Sequence, residues 1–355
     1  MRIYGIFRGF AGLGRVVSGI GLLNKFRDEG HEVKIFTYMQ GCTISSQYGY
    51  SSLPVKGEKD IGFMGIVPIS PTGLSVITDI LIWKPDCILI DGEPLMIECL
   101  RLAGVSGKII ALTNPLDLYS EKNNPVTMKY FRHLFSQSDI ILCHGIHNVE
   151  KHLKGYLKDK TFCMNTILRN EIFSIKRNNP KYIACILGGG TKNCSDEFVN
   201  STLRIAGKVI LLAKKRQEEI FNIYCNDDNI GERIKRLNPS SNVNVIVKYT
   251  SPVDIYSKSK IVIGRGGRNT ISELLFLKIP SIVIPIASDI VSIEQKNNIQ
   301  YASNISNNNI IGYNLLDESE KIISIFDNLI HYHIDYNDWI PGNKKAYSII
   351  KEIIN

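Results

Sequence analysis

The sequence has no apolar run long enough to cross a membrane. A transmembrane helix needs about 20 consecutive apolar residues, whereas the apolar runs here are short and broken by Pro, Asp or Gly, as in KIPSIVIPIASDI. The first residues, MRIYGIF, have no signal-peptide layout and read as a strand. We therefore expect a cytoplasmic protein, with peripheral contact as its closest approach to a membrane.

The chain also lacks the cysteine and histidine spacing of metal sites. Its eight cysteines include no C-x-x-C pair, so neither a disulfide framework nor a zinc knuckle is indicated. His144, His147 and His152 cluster near Cys143, but their spacing fits no zinc signature. We expect these to be ordinary surface histidines on a helix, and we expect no metal and no cofactor.

Positive charge is present but is not concentrated. The formal net charge is +8, yet the lysines are scattered and no block of five basic residues occurs. A basic surface suits anionic partners such as nucleotide phosphates, anionic lipid or nucleic acid. Charge that serves only solubility explains the same composition equally well.

What the sequence does contain is a repeated alternation of short β-rich runs and longer helical periods. This pattern is typical of α/β units around parallel sheets, and 355 residues suffice for two ordinary domains. We predict an α/β protein with two doubly wound, Rossmann-like domains facing across a cleft. The predicted domains span 1–165 and 166–335, and a C-terminal helix within 336–355 packs back on the first domain. In the second series, we predict a strand at 208–213 and a helix at 215–225.

Ligands of such folds bind where the carboxyl ends of strands lead into helix N-termini. The first such loop, GFAGLGR at 9–15, has glycines that permit close backbone approach. Its G-x-x-G-x-G spacing, with Thr37 and Tyr38 ending the second strand, disfavours dinucleotide binding. A tight turn without a ligand is the alternative. The candidate acceptor or phosphate loop consists of Gly12, Leu13, Gly14 and Arg15.

The second loop carries two acidic residues. Asp91 and Glu93 follow the strand CILI and precede Pro94. Carboxylates at a strand end are plausible general bases. An equally good interpretation is a helix cap ahead of a proline at the first helical position.

Two further loops are rich in glycine. Gly188, Gly189, Gly190 and Thr191 follow the strand IACIL and form a loop suited to phosphate. The stretch IGRGGRNTISELL at 263–275 joins a strand, a glycine turn and a helix start with two arginines, which is typical of a diphosphate site. Glu273 follows Thr270 by three residues, so it is either a capping-box residue or an acceptor for a ribose diol.

Residues 262–302 resemble the nucleotide-binding region of GT-B glycosyltransferases, nearest to the lipid-linked N-acetylglucosaminyltransferases of peptidoglycan synthesis and related UDP-sugar transferases. The shared pattern is a strand, small-Arg-Gly-Gly-x-x-Thr-x-x-Glu, a helix, Lys/Gly-x-Pro, an apolar strand ending in Pro, and Gln-x-x-Asn. The stretch PDCILIDGEP is similar to the D-x-E-P element of some members. The matching residues are Gly264, Arg265, Gly266, Gly267, Thr270, Glu273, Lys278, Pro280, Pro285, Gln295 and Asn298.

The resemblance implies a metal-independent transferase that moves a sugar from a nucleotide sugar, most simply a UDP-sugar, to a hydroxyl acceptor. The implied acceptors are a lipid-linked molecule, a small molecule or modified DNA. It assigns Glu273 to the ribose, Lys248 and Tyr249 to the base, and Glu294 and Gln295 to the sugar. The implied diphosphate loops are Gly266, Gly267, Asn269 and Thr270 and, as a second loop, Gly188, Gly189, Gly190 and Thr191. Beside the helix start, we expect Arg268 or Arg265 to contact the diphosphate; Arg265 fits the family pattern and has a structural role as its alternative, so Arg268 is the preferred contact.

One departure from the family affects the chemistry. Many relatives carry His directly after the first glycine loop, where this chain has Arg15, and arginine cannot act as a base near neutral pH. We therefore expect an inverting reaction to use Asp91 as the base and Glu93 to orient the acceptor. The alternatives are a nucleotide-sugar epimerase or hydrolase of the same fold, or a binding protein without catalysis.

Overall fold

In the computed structural model, the described residues are 1–9, 13–51, 71–121, 124–188, 196–248, 250–286, 289–331 and 336–354. Two compact units account for the chain. One contains Met1–Arg169 and Pro341–Asn355, and the other contains Asn170–Ile340. The sequence-based boundaries were 165 and 335, so each division falls a few residues later than predicted.

The first unit is built on a six-stranded parallel sheet in the order β2-β1-β3-β4-β5-β6. Its strands are β1 Arg2–Phe7, β2 Glu32–Phe36, β3 Cys87–Asp91, β4 Lys108–Thr113, β5 Ile140–Gly145 and β6 Thr161–Asn165. Its helices are α1 Gly14–Asp28, α2 Gln40–Gln47, α3 Pro71–Trp83, α4 Pro94–Leu102, α5 Pro115–Leu118, α6 Pro125–Ser136, α7 Tyr156–Lys160 and α14 Asn343–Ile354.

The second unit has its own six-stranded parallel sheet, in the order β12-β11-β10-β7-β8-β9. Its strands are β7 Tyr182–Ile186, β8 Phe221–Cys225, β9 Val243–Val247, β10 Ser259–Arg265, β11 Ser281–Ile284 and β12 Ile310–Gly312. Its helices are α8 Asp196–Lys215, α9 Asp228–Lys235, α10 Pro252–Tyr256, α11 Arg268–Leu277, α12 Asp289–Ile305 and α13 Ser319–Ile330. Two doubly wound sheets confirm the predicted α/β class.

The strand order explains where polar residues gather. Strand order reverses between β1 and β3 in the first sheet and between β7 and β10 in the second. At such switch points the connecting helices leave toward opposite faces, which opens a crevice at the carboxyl ends of the strands. The central strands are nearly continuous apolar runs because both of their faces are covered.

One local assignment from the sequence was wrong. The run at 208–213 is part of helix α8, and the predicted helix at 215–225 contains strand β8. The β-branched residues of KVILLA suggested a strand, but Ile205, Val209 and Leu212 are buried at helical spacing along α8. Strand β8 is buried at every residue, so it shows no alternation that would mark it.

Helix α14 is tied to the first unit by reciprocal hydrogen bonds. The amide N–H of Leu168 donates to Asn343 Oδ1 at 2.8 Å, and Asn343 Nδ2 donates to the carbonyl of Leu168 at 2.7 Å. Gly342 precedes the helix, and its N–H donates to the carbonyl of Thr166 at 3.1 Å. A side chain on Gly342 would overlap the carbonyl oxygen of Asn165, so the contact requires glycine.

Replacing Gly342 with alanine is therefore expected to destabilise the protein by about 1–3 kcal/mol, the usual cost of overpacking. Gly207 in α8 provides a matched control, because a methyl group there meets nothing within 4 Å. Gly207→Ala should be neutral or stabilise the helix by up to about 1 kcal/mol. Chemical denaturation of the two variants measures both effects, and equal stability of the two would contradict this packing.

Candidate active site

In the first unit, an ion pair joins the ends of two neighbouring strands. Asp91 is the last residue of β3, and Arg15 lies in the first turn of α1, which follows β1. Arg15 Nη1 donates to Asp91 Oδ1, and the Asp91 side chain is fully buried. The structure thus brings Arg15, the last residue of the predicted phosphate loop, to Asp91 in the predicted acidic loop, as the pairing of β1 with β3 requires.

A second carboxylate, Asp117 in α5, also binds Arg15. Arg15 Nη2 donates to Asp117 Oδ2 at 3.1 Å. Burial acts to lower the pKa of Arg15, but the charges of Asp91 and Asp117 outweigh it and raise that pKa. A cation in the first turn of a helix is otherwise unfavourable. The two carboxylates therefore stabilise a guanidinium at the N-terminus of α1.

Gly92 is required beside this cluster. Its φ is +83°, a left-handed conformation, and a Cβ there would lie 2.6 Å from Cδ of Arg15. Glycine relieves both the backbone strain and the steric overlap. The D-G-E sequence thus lets Arg15 approach the end of β3.

His144 approaches Asp91 from the other side, and the prediction of a surface histidine was wrong. His144 lies in β5 and is fully buried. Its Nδ1 accepts the N–H of Ile167 at 3.2 Å, which leaves Nε2 to carry the proton of a neutral ring. That Nε2 lies 3.8 Å from Asp91 Oδ2. Both oxygens of Asp91 therefore face donor groups of the protein.

Glu93 has a different partner. It occupies the N-cap position of α4 with Pro94 after it, but its side chain makes no capping hydrogen bond. Instead, the hydroxyl of Tyr38 donates to Glu93 Oε1, and both side chains are fully buried. The cap interpretation thus holds for the position of Glu93 and fails for its carboxylate.

In the second unit, the pairing of β7 with β10 brings Gly188 close to Arg265. Gly188 follows β7 with φ of +80°, and a Cβ there would lie 3.6 Å from Nη1 of Arg265 at the end of β10. Arg265 Nη2 donates to Thr202 Oγ1 at 2.8 Å, and its guanidinium lies 4.2 Å from the ring centre of Phe198. Arg265 therefore anchors α8 to the end of β10.

The N-terminus of α11 is the clearest anion-binding feature among the described residues. Gly267 is the N-cap and has no side chain to cap the first turn, and no acidic residue lies in that turn. A Cβ on Gly267 would meet no atom of the described residues within 4 Å, so those residues leave room for a group beside Gly267. Arg268 begins the helix, and its Nε donates to Asn269 Oδ1 at 3.3 Å. The backbone N–H groups at a helix start and the helix dipole favour a phosphate at such a position.

Glu273 is not a capping-box residue. With the N-cap at Gly267, the third helical residue is Thr270, so Glu273 lies one turn further along. Its side chain is almost fully buried, and Oε2 accepts the hydroxyl of Tyr256 at 2.8 Å. A capping role at the start of α11 therefore does not explain why this carboxylate is present.

The remaining residues predicted to contact the donor do not all lie near the glycine turn before α11. A Cβ on Gly266 would lie 3.2 Å from Cβ of Gln295, so α12 packs against the glycine turn. Gln295 Oε1 accepts the N–H of Ile286 at 2.8 Å, and Glu294 lies beside it in α12. Lys248 follows β9, three strand positions from β10, which corresponds to about 14 Å across the sheet. Gly12, Gly189, Gly190, Thr191 and Tyr249 lie outside the described residues.

Sequence reasoning missed three of the side chains that complete these clusters. Asp117 follows β4 in the order Asn-Pro-Leu-Asp, so it is an acidic residue near a proline at a strand end, as Asp91 and Glu93 are, although here the proline comes first. That signal could have been found. No sequence signal placed His144 or Tyr256 in these clusters, because a single polar residue does not show which neighbour it will contact in the fold.

The two doubly wound units have the architecture of the GT-B fold. Residues 185–348 match the model of the glycosyltransferase family 28 C-terminal domain. A search of curated protein sequences finds no significant match.

Solved structures with this fold cover almost the whole chain. MurG of Acinetobacter baumannii is 13% identical with a TM-score of 0.59, covering 99% of each chain. The glycosyltransferase SnogD of Streptomyces nogalater is 14% identical with a TM-score of 0.58, covering 100% of this chain and 99% of its own. UDP-GlcNAc 2-epimerase of Neisseria meningitidis, solved with UDP-GlcNAc, is 15% identical with a TM-score of 0.63, covering 100% of both.

The family match and these neighbours support a GT-B glycosyltransferase. At these identities the structures show the shared fold alone, and that fold also serves epimerases. The choice between transfer and epimerisation therefore depends on the residues of this chain.

Proposed function

We propose that this protein transfers a sugar from a nucleotide sugar, in the first instance a UDP-sugar, to a hydroxyl acceptor with inversion. The observation that carries the proposal is the N-terminus of α11, where Gly267 is the N-cap, no acidic residue lies in the first turn and Arg268 begins the helix. Helix N–H groups and a guanidinium stabilise the charge that develops on a leaving diphosphate. This arrangement requires no metal ion for that purpose.

On the acceptor side, the proposal draws on the first unit. Arg15, Asp91, Glu93 and Asp117 gather at the carboxyl ends of β1, β3 and β4. Direct displacement requires the acceptor hydroxyl to lose its proton, and a positioned base contributes about 10²–10⁴-fold to that step. A cluster with more carboxylates than cations can supply that base.

The second candidate, a nucleotide-sugar epimerase, is favoured by the structural likeness to the UDP-GlcNAc 2-epimerase. The experiment that separates the two is incubation of the protein with UDP-N-acetylglucosamine or UDP-glucose, with and without acceptors. The acceptor set contains a polyprenyl-linked sugar in vesicles, small alcohols and DNA with hydroxymethylated bases. Mass spectrometry and NMR should find sugar on one acceptor class; an epimerised nucleotide sugar without acceptor would contradict transfer.

A lipid-linked acceptor would bring the protein to a membrane surface. None of the helices in the described ranges has both the length and the apolar character of a membrane span. Helix α3, however, exposes Leu74 and Ile82 (70% and 76% of their surfaces), and the exposed Lys84 follows it. We propose contact with an anionic lipid surface through this face. Sedimentation with phosphatidylglycerol vesicles that is unchanged in the Leu74→Gln/Ile82→Gln double variant would contradict that contact.

A further inference from the structure

The base required by the proposed transfer must be a carboxylate that a hydroxyl group can reach. In the acceptor-side cluster, Asp91 does not meet that requirement. Its side chain is fully buried, Oδ1 accepts from Arg15, and Oδ2 faces His144 Nε2 at 3.8 Å. Glu93 is fully buried as well and accepts the hydroxyl of Tyr38.

Asp117 differs from both in its exposure. A quarter of its side-chain surface is exposed (25%), compared with none for Asp91. It lies in α5, directly after β4, which is the neighbour of β3 in the sheet. Asp117 therefore reaches solvent from the same edge of the sheet that holds Arg15 and Asp91.

The hydrogen bonds of Asp117 are divided unequally between its two oxygens. Oδ2 accepts from Arg15 Nη2 at 3.1 Å, from Thr113 Oγ1 at 3.1 Å and from the N–H of Asn114 at 3.3 Å. Oδ1 accepts no hydrogen bond from the described residues. Three donors on one oxygen fix the orientation of the carboxylate and leave the other oxygen available to a ligand.

We infer that Asp117 is the catalytic base of this protein, an assignment that rests on the proposed transfer. The acceptor hydroxyl gives its proton to Asp117 Oδ1 as its oxygen forms a bond to the anomeric carbon. The bond from that carbon to the diphosphate breaks, and the electron pair leaves with the nucleoside diphosphate. Asp91 then acts as a positioning residue, because it holds Arg15, which in turn holds Asp117.

The experiment compares two acceptors that differ in whether a proton must be removed. The nucleotide sugar is UDP-N-acetylglucosamine or UDP-glucose, whichever raises the melting temperature of the parental protein more. The acceptor is either water or azide, and azide is an anion that needs no base. We expect Asp117→Asn to release nucleotide about 10²–10⁴-fold more slowly than the parental protein in water. Azide should restore release and yield a glycosyl azide, detected by mass spectrometry.

Two further variants separate chemistry from structure. Glu121→Gln removes an exposed carboxylate four residues away and should leave both rates unchanged. Thr113→Val removes one hydrogen bond to Asp117 while keeping the carboxylate, so it should slow release in water by less than Asp117→Asn does.

Equal nucleotide release in water by the parental protein and Asp117→Asn would overturn the assignment. The assignment would also be overturned if azide failed to restore nucleotide release by Asp117→Asn while that variant still bound the nucleotide sugar. The carboxylate would then have only a structural role. A parental protein that shows no shift in melting temperature with either nucleotide sugar would instead contradict the proposed function.

Discussion

Replacing Glu273 with alanine is expected to weaken nucleotide-sugar binding by about 10- to 150-fold, the value of one hydrogen bond to a charged group. The physical reason is that a ribose diol would lose its anionic acceptor. Glu273 has no capping role in α11, so its loss leaves the helix start intact. Calorimetric titration with the UDP-sugar, together with thermal unfolding, measures affinity and stability separately.

The control is Tyr256→Phe. It removes the hydroxyl that donates to Glu273 Oε2 at 2.8 Å and keeps the carboxylate. We expect that variant to bind the nucleotide sugar far better than Glu273→Ala does. If Glu273→Ala lowers the melting temperature and leaves the affinity unchanged, the carboxylate serves the packing of α10 against α11 alone.

Replacing Arg268 with alanine should weaken the binding of UDP much more than the binding of uridine. Arg268 starts α11 and is largely buried, and its Nε donates to Asn269. A charge-assisted hydrogen bond to the diphosphate contributes about 1.5–3 kcal/mol, or about 10- to 150-fold in affinity. Uridine lacks the diphosphate, so its affinity should change little.

Arg236→Ala is the matched control, because it removes the same charge from an exposed position after α9. It should change the affinity for UDP only through long-range electrostatics, which salt screens. Equal weakening of UDP and uridine by Arg268→Ala would place that guanidinium away from the phosphates. Arg265 is a poorer choice for this test, since its contacts with Thr202 and Phe198 make its loss a structural change.

The alternation of apolar runs was enough to predict both sheets and the loops at their carboxyl ends. Parallel strands that are buried on both faces appear in the sequence as runs of consecutive apolar residues. Glycines at the ends of such runs indicate the turns that follow. The error at 208–225 arose in the same way, because a buried helix segment rich in β-branched residues resembles a buried strand.

The side-chain partners of the candidate site could be predicted only in part. Arg15 and Asp91 belong to adjacent strands, so their proximity follows from the topology. The exposure of each carboxylate does not follow from the topology, because it depends on side chains that are far away in the sequence. Asp91 is buried beside His144, whereas Asp117 lies at a helix start and keeps a quarter of its side chain exposed.

The most direct test of the nucleotide-sugar site is a crystal structure of the whole chain with UDP. We expect the diphosphate to bind at the N-terminus of α11, against the backbone N–H groups that follow Gly267 and beside Arg268. The ribose should then lie toward Glu273. Density for UDP in that position would support the proposed donor site. UDP bound elsewhere, or no binding at millimolar UDP, would contradict it.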